Sequence, residues 1–426
     1  MHGSRRRPGF ARGRLKKTAG VLLAAALLVL NFTPSVQSLR SLPEIIRMAE
    51  GQQTDISFLF PLGLQVEQES AVVRLSTDER LPGSVTLQGE EEGSAQLTLS
   101  LLGLPLKSMT VQVQPERVLY PGGQAVGIAM YTDGVFVVDC ANVYLPDGGT
   151  INPAKEAGLK SGDSILRVDG EKIKNMQQLI NAVKNSTAKT LRLSCQRDGK
   201  TFETRVTPVV DEEGVRRLGV WVRDSTAGIG TLSYIDPVEG KFGALGHAIT
   251  DVDTLKLLSV REGEVYLSKI IDVKKGAKGE PGELHGVFAG GLPKICDIEQ
   301  NTEFGVFGFT DQALVNPLYP QGLPVGGQGV VHTGQAQILT TIDDKGVQAF
   351  DCQILRITPQ LSPSQRSMIV QVTDPALLSA TGGIVQGMSG SPIIQDGYIV
   401  GAVTHVYVND PTKGYGIFID WMLDTQ

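Results

Sequence analysis

Apolar and polar residues alternate with period two along much of this chain, and long helical periodicity is scarce. Leu97, Leu99 and Leu101 alternate with Thr98 and Ser100, and Met109, Val111 and Val113 with Thr110 and Gln112. Such alternation marks strands with one face turned to a core. The segments are punctuated by Pro82-Gly83, Glu91-Glu92-Gly93 and Gly103. Glycine makes up 50 of 426 residues, well above the ~7% of an ordinary protein, as short strands and tight turns require. The expectation is a mainly β chain of several domains. Residues 41–118 are assigned to a small β-domain that carries no chemistry; its first stretch, Leu42 to Ala49, reads as a short helix or an extended stalk.

The net charge of −6 is mild, but the N-terminus is strongly asymmetric. Arg5, Arg6, Arg7, Arg12, Arg14, Lys16 and Lys17 precede an apolar run from Val21 to Leu30. A basic stretch before a short apolar one is the pattern of an export signal or a membrane anchor. Residues 1–40 are assigned to that role, and the rest of the chain is expected across the membrane. A nucleic-acid-binding tail would leave the apolar run unexplained. Cys140, Cys195, Cys296 and Cys352 are scattered without a C-x-x-C pair, so free buried thiols are expected.

A different organisation begins near Tyr120. Pro121-Gly122-Gly123-Gln124-Ala125-Val126-Gly127-Ile128 is a glycine-rich turn leading into a strand, and Val135 to Val138 form a second strand. The run A-G-L-K-S-G-D-S-I-L-R-V-D-G from Ala157 to Gly170 reads as turn, strand and hairpin turn. Asn175 caps a helix with apolar Leu179, Ile180 and Val183 at helical spacing. Strands on either side of Asp198-Gly199 close the unit. This pattern resembles a PDZ domain of the circularly arranged kind found in bacterial proteases, assigned to residues 119–210. Such domains take an extended peptide as an added strand. The peptide-binding loop is expected at Gln124, Ala125, Val126, Gly127 and Ile128, whose backbone N–H groups would form a nest for a carboxylate.

Residues 211–426 hold the chemistry. Gly387-Met388-Ser389-Gly390-Ser391-Pro392 places a hydroxyl on a tight turn, followed by a hairpin at Asp396-Gly397. Acyl transfer needs such a nucleophile beside N–H groups aimed at a developing oxyanion. Ser389 is assigned as nucleophile and the N–H groups of Gly387 and Ser389 as the oxyanion hole. Gly390 is expected to leave room for the substrate carbonyl, and Ser391 is a rival nucleophile. The base must be an imidazole that titrates in the useful range. His2 lies in the export segment. Among His285, His332, His405 and His247, the small-residue turn G-A-L-G-H and its place upstream of the serine favour His247. His405 is the second choice, or a pocket wall. Asp251, Asp253, Asp297 and Asp374 could each orient the imidazole, and spacing does not choose among them. Ala402 to His405 are expected to line the primary pocket.

The segments G-V-W-V-R-D-S-T-A-G-I-G-T-L, G-A-L-G-H-A-I-T-D, T-G-G-I-V-Q-G-M-S-G-S-P-I-I-Q-D-G and A-V-T-H-V-Y-V-N-D-P-T-K-G-Y-G closely resemble the stage IV sporulation protein B peptidase family. The resemblance implies a trypsin-like double β-barrel serine endopeptidase with His247, Asp374 and Ser389 as its triad, needing no metal or cofactor. Asp374 also starts a helix well, as Thr373-Asp374-Pro375. The family implies export across the forespore membrane and cleavage of a membrane-bound regulator of an intramembrane protease. That cleavage leads to release of a late sigma factor, and the enzyme cuts its own N-terminal region. The competing expectations are a catalytically inactive PDZ scaffold, which a Ser389→Ala comparison would separate, and an esterase or acyl transferase using the same residues.

Overall fold

The computed structural model describes residues 32–33, 42, 45–57, 63–66, 71–77, 84–101, 104–288, 292–312, 314–358, 360 and 362–425. The export or anchor assignment to residues 1–40 lies, apart from 32–33, outside the described residues. The chain divides into two compact units, 1–116 with 359–361, and 117–358 with 362–426.

The first unit is all β among its described residues. Ile45–Ala49, Leu104–Gln114, Gly93–Leu101 and Gly63–Val66 form one sheet in that order. Gln53–Ser57, Ser84–Gly89 and Val73–Thr77 form a second. Leu97, Leu99, Met109, Val111 and Val113 are buried, as the alternation requires. Thr98 and Ser100 are buried too, and Thr98 Oγ1 bonds Ser108 Oγ across the strands at 3.2 Å. Cross-strand hydroxyl pairing is how buried threonine and serine are satisfied in a sheet. Of the stretch Leu42 to Ala49, Ile45–Ala49 is strand, not helix.

The second unit contains two closed six-stranded barrels. The first joins β1 (Ala125–Cys140), β2 (Val220–Ile235), β3 (Lys241–Ala244), β4 (Val260–Leu267), β5 (Lys294–Thr302) and β6 (Gly305–Phe309). Its ring runs β1-β4-β5-β6-β3-β2 and closes by pairing β2 with β1. The core includes Val126, Ile128, Leu232, Phe242, Val265 and Ile298. The second joins β7 (Gly334–Thr340), β8 (Gln348–Ile357), β9 (Met368–Val372), β12 (Lys413–Phe418), β11 (Tyr398–Val406) and β10 (Pro392–Gln395) in ring order. Closure gives every strand of a ring two neighbours, which limits edge pairing, although β2 meets β3 only from Leu232 onward.

The PDZ unit is inserted into the first barrel. β1 and β2 are each 16 residues long and run through both bodies. Their halves nearer the PDZ unit pair as Arg223↔Phe136, Val222↔Val137 and Val220↔Cys140. The insert adds α1 (Pro153–Glu156), strand Ser164–Val168, α2 (Met176–Asn185) and the hairpin Leu191–Arg197 with Lys200–Val206. Its core draws on Val135, Val137, Ile165, Leu179, Leu193 and Leu218. The assigned limits 119–210 therefore shift at both ends. Residues 125–131 belong to the first barrel, and residues up to about Arg223 complete the PDZ unit. A continuous strand conceals the crossing; a register shift between Arg223 and Ser225, opposite Gly134 at φ +76°, marks it. Asn175 caps α2 by accepting from the Gln178 N–H at 2.9 Å. All four cysteines are free.

Candidate active site

The serine lies in the loop that joins α3 (Pro375–Thr381) to β10. Gly387 and Gly390 take φ of +96° and +95°, a region that favours glycine. The loop is tied to the first barrel by Thr231, which is 1% exposed. Its N–H donates to Ser389 O at 2.9 Å and its hydroxyl to Gly387 O at 2.9 Å. The expected role of Gly390 needs correction. A Cβ there would stand 2.1 Å from Thr231 O and 2.5 Å from Leu245 N. Its missing side chain admits β2 and the histidine turn, not a substrate carbonyl. Ser391 is fully buried and bonds Thr231 Oγ1 at 3.5 Å, so it does not face the cleft as a rival nucleophile.

The histidine follows β3. Leu245 and Gly246 both have positive φ, 71° and 69°. For leucine that conformation is strained, and its persistence shows that neighbours fix the turn. Leu245 N–H donates to Thr231 O at 3.3 Å, so the residue that binds the serine loop also binds the histidine turn. Downstream, Asn301 of β5 accepts from Ile249 N–H and donates to Ile249 O, both at 2.8 Å.

His247 and Ser389 border one cleft of about 550 Å3, whose walls include Thr226 to Ile229 of β2, Gln386, Gly387, Thr404 and His405. The N–H groups of Gly387 and Ser389 donate to nothing among the described residues, while those of Gln386, Met388 and Gly390 are all taken. Gln386 is held as an added strand, its N–H to Gly282 O at 2.9 Å and its O from Leu284 N–H at 2.8 Å. Two free N–H groups beside a cleft-lining hydroxyl are the arrangement an oxyanion hole needs.

The imidazole and the hydroxyl share the cleft without a mutual hydrogen bond. Ser389 Oγ donates to Thr404 O at 2.8 Å, and His247 Nδ1 donates to Ala248 O at 2.8 Å. The latter bond places the proton on Nδ1 and leaves Nε2 as the basic nitrogen. The His247 pKa is lowered by burial, partly opposed by that backbone bond. His405 lies beside His247 with ring centroids 4.9 Å apart and the planes tilted by 38°, and its pKa is lowered to about 4 by burial, by His247 and by Arg366.

The acid candidates are all engaged elsewhere. Asp374 is the N-cap of α3, accepting from Ala376 N–H at 2.8 Å and Leu377 N–H at 3.1 Å. Its second oxygen faces Asp351 N–H at 3.4 Å. The structure thus gives it the helix-capping role and no bond to His247. Asp251 and Asp253 bind Arg223, and Asp297 binds Lys294 at 2.8 Å. His285 and His332 lie on the surface: His285 beside Asp272 and Glu283, and His332 on Asp396, which raises its pKa. Of the expected pocket strand, Thr404 and His405 line the cleft, whereas Ala402 and Val403 are core.

The expected peptide nest at Gln124 to Ile128 is overturned. Ala125 to Ile128 lie inside the first barrel, paired on one side with Thr231 to Gly228 and on the other with Leu267 to Val265. No edge remains for a ligand. The PDZ unit instead opens a cavity of about 450 Å3 between α2 and Leu218-Gly219-Val220-Trp221-Val222. There the edge of β2 facing away from β1 is unpaired among the described residues, and Trp221, Ile180 and Met176 are 67%, 46% and 42% exposed. A free strand edge beside apolar side chains suits an added peptide strand. The available signal was R-R-L-G-V-W-V: a glycine inside an apolar strand marks close backbone approach.

Residues 214–423 match the model of the SpoIVB peptidase S55 family, and residues 125–207 that of the PDZ domain. The chain is 35% identical over 129 residues to "Regulator of sigma-W protease RasP" of Bacillus subtilis (strain 168), covering 30% of this chain and 28% of that one. It is 32% identical over 80 residues to "Probable protease eep" of Enterococcus faecalis (strain ATCC 700802 / V583), covering 18% of each. The chain thus spans well under a third of these relatives. Among solved structures, the active form of the Rv3671c protease from M. tuberculosis is similar at 14% identity and TM-score 0.28, over 47% of this chain and 73% of that one. The PDZ domain of the SdrC-like protein from Listeria monocytogenes is similar at 23% identity and TM-score 0.18, over 21% and 87%. Beside its PDZ unit, this chain thus carries a region, residues 214–423, that matches the SpoIVB peptidase S55 family.

Proposed function

We propose that Ser389 is the nucleophile, His247 the general base, and the N–H groups of Gly387 and Ser389 the oxyanion hole. The observation that carries this reading is the shared cleft, with a hydroxyl from one barrel, an imidazole from the other and two N–H groups that have no acceptor among the described residues. In the first step Ser389 turns about χ1 from Thr404 O toward Nε2 of His247. It then attacks the peptide carbonyl as its proton passes to that nitrogen. The oxyanion gathers at the two N–H groups, and the imidazolium protonates the departing amine. Water repeats the sequence on the acyl-enzyme. The Ala248 carbonyl holds the tautomer in this resting arrangement; a role for Asp374 at the imidazole requires rearrangement of its cap.

The substrate is a protein. Within the family reading it is a membrane-anchored regulator of an intramembrane protease, met outside the forespore membrane during sporulation, and the enzyme also trims its own N-terminal region. The PDZ cavity would hold a peptide strand and raise the local concentration of the scissile segment. Casein digestion followed by mass spectrometry of new N-termini tests the chemistry. Wild type should release peptides and acquire a new N-terminus of its own, and Ser389→Ala and His247→Ala should do neither. Equal products from wild type and Ser389→Ala would replace this reading with that of a scaffold.

A further inference from the structure

Strand β2 serves both sites. Val220 to Val222 border the PDZ cavity and Thr226 to Ile229 border the cleft. Arg223 stands between them, and its guanidinium reaches the loop 251–256 beyond His247. Nη1 donates to Asp251 Oδ2, and Nη2 to Asp253 Oδ2 at 3.0 Å. Asp251 is 1% exposed, and its other oxygen accepts the N–H groups of Asp253 at 3.2 Å and Thr254 at 2.9 Å. One buried carboxylate thus shapes the loop and fastens it to β2. A second tie comes from Lys256, 3.6 Å from Asp198 in the PDZ hairpin turn.

The far end of the loop runs through Thr250, bridged to Leu257, and Ile249 into His247. Asn301 holds Ile249 and Leu258 from inside the first barrel. The barrel therefore secures the root of the loop, and Arg223 secures its body. A charge-assisted pair with a buried carboxylate is stronger and more directional than a surface ion pair.

We infer that Arg223 is a positioning residue for His247: through Asp251 it fixes the loop after the imidazole to the strand that borders the PDZ cavity. This rests on the reading of His247 as the base. Placement of the imidazole and the state of the PDZ edge then depend on one side chain, which touches neither substrate nor the reacting atoms.

The test uses the full chain with a fluorophosphonate probe, whose rate of reaction with Ser389 reports the nucleophile and base without PDZ binding, alongside fluorescein-labelled casein. Arg223→Gln should slow labelling and kcat at least tenfold, with KM within twofold, when assayed well below its own Tm, which should fall because the buried Asp251 carboxylate loses its partner. Arg223→Lys should recover part of the rate. Arg223→Gln combined with Asp251→Asn should be no slower than the worse single variant, as for residues acting as a unit. If Arg223→Gln does not fold, Asp251→Asn, which keeps an oxygen for the two loop N–H groups, carries the same comparison. Labelling of folded Arg223→Gln at the wild-type rate, with His247→Ala unreactive, overturns the inference. Wild-type labelling of His247→Ala would instead overturn the base assignment beneath it.

Discussion

Ser389 rests with its proton on a main-chain carbonyl, and His247 rests with the tautomer that a base requires. An imidazole accepts a proton only when neutral, and burial holds His247 below its ordinary range. The acid limb of kcat/KM is therefore expected at a midpoint below about 6.5, the ordinary value for histidine. Activity should persist at pH values where an exposed imidazole would be half charged; a pH profile of casein hydrolysis checks this. The stability consequence has the same sign. Both cleft imidazoles resist protonation in the fold, with His405 lowered to about 4. As pH falls below the unfolded value, the unfolded chain binds protons that the native chain refuses, and stability declines. Above that value these two residues contribute no slope, so in a His332→Gln background, which removes the opposite slope of the imidazole that Asp396 raises, the urea midpoint should show no histidine-linked change there and fall from about pH 6.5 toward 4. Asp374 is expected to act as its cap geometry dictates. Asp374→Ala should cost about 1 kcal/mol in urea unfolding, and Asp374→Asn, which keeps an acceptor oxygen, should restore most of it.

Between the barrels the decisive element is the middle of β2. Thr231 donates to the serine loop through its N–H and hydroxyl and accepts from the histidine turn through its carbonyl. Thr231→Val keeps the volume but removes the hydroxyl that Gly387 O and the fully buried Ser391 Oγ use as partner. The expected loss is about 1–3 kcal/mol. It should appear in urea unfolding together with a fall in kcat, since the serine loop loses one of its ties. Local motifs made this region legible. G-M-S-G-S-P and G-A-L-G-H are short turns whose glycines declare their geometry, and the cap at Asn175 and the turn at Asp198-Gly199 are equally local. What the sequence concealed was pairing. Gln124 to Ile128 reads as a glycine-rich loop entering a strand, and nothing in it tells that both edges are filled from residues about 100 and 140 positions away. Val220 to Val222 read as one more strand, although one edge stays open. The acid partner was undecidable for the same reason, because an aspartate that caps a helix and one that faces an imidazole look alike until the chain is folded.

At the scale of the whole second unit, the PDZ body is an insertion held by two strands that never break. A boundary drawn at residue 210 or 211 therefore severs the first barrel, which loses β1 and with it the closing pair of its ring. A fragment of residues 211–426 would expose the edges of β2 and β4 and part of the core around Val265 and Leu232, and it is expected to be insoluble or unfolded. Excision at the crossing has the opposite consequence. Tyr131 and Ser225 are direct cross-strand partners, about 5 Å apart in an antiparallel pair. Residues 132–224 can thus be replaced by an Asn-Gly turn, which matches the twist of a hairpin. The shortened chain 117–426 should fold with a cooperative thermal transition while losing the PDZ cavity and the tie at Arg223. Its fluorophosphonate labelling should be slow, like that of Arg223→Gln, with circular dichroism still typical of β-structure. A soluble, cooperatively folding fragment 211–426 would show that the barrel closes without β1 and would refute this account of the insertion.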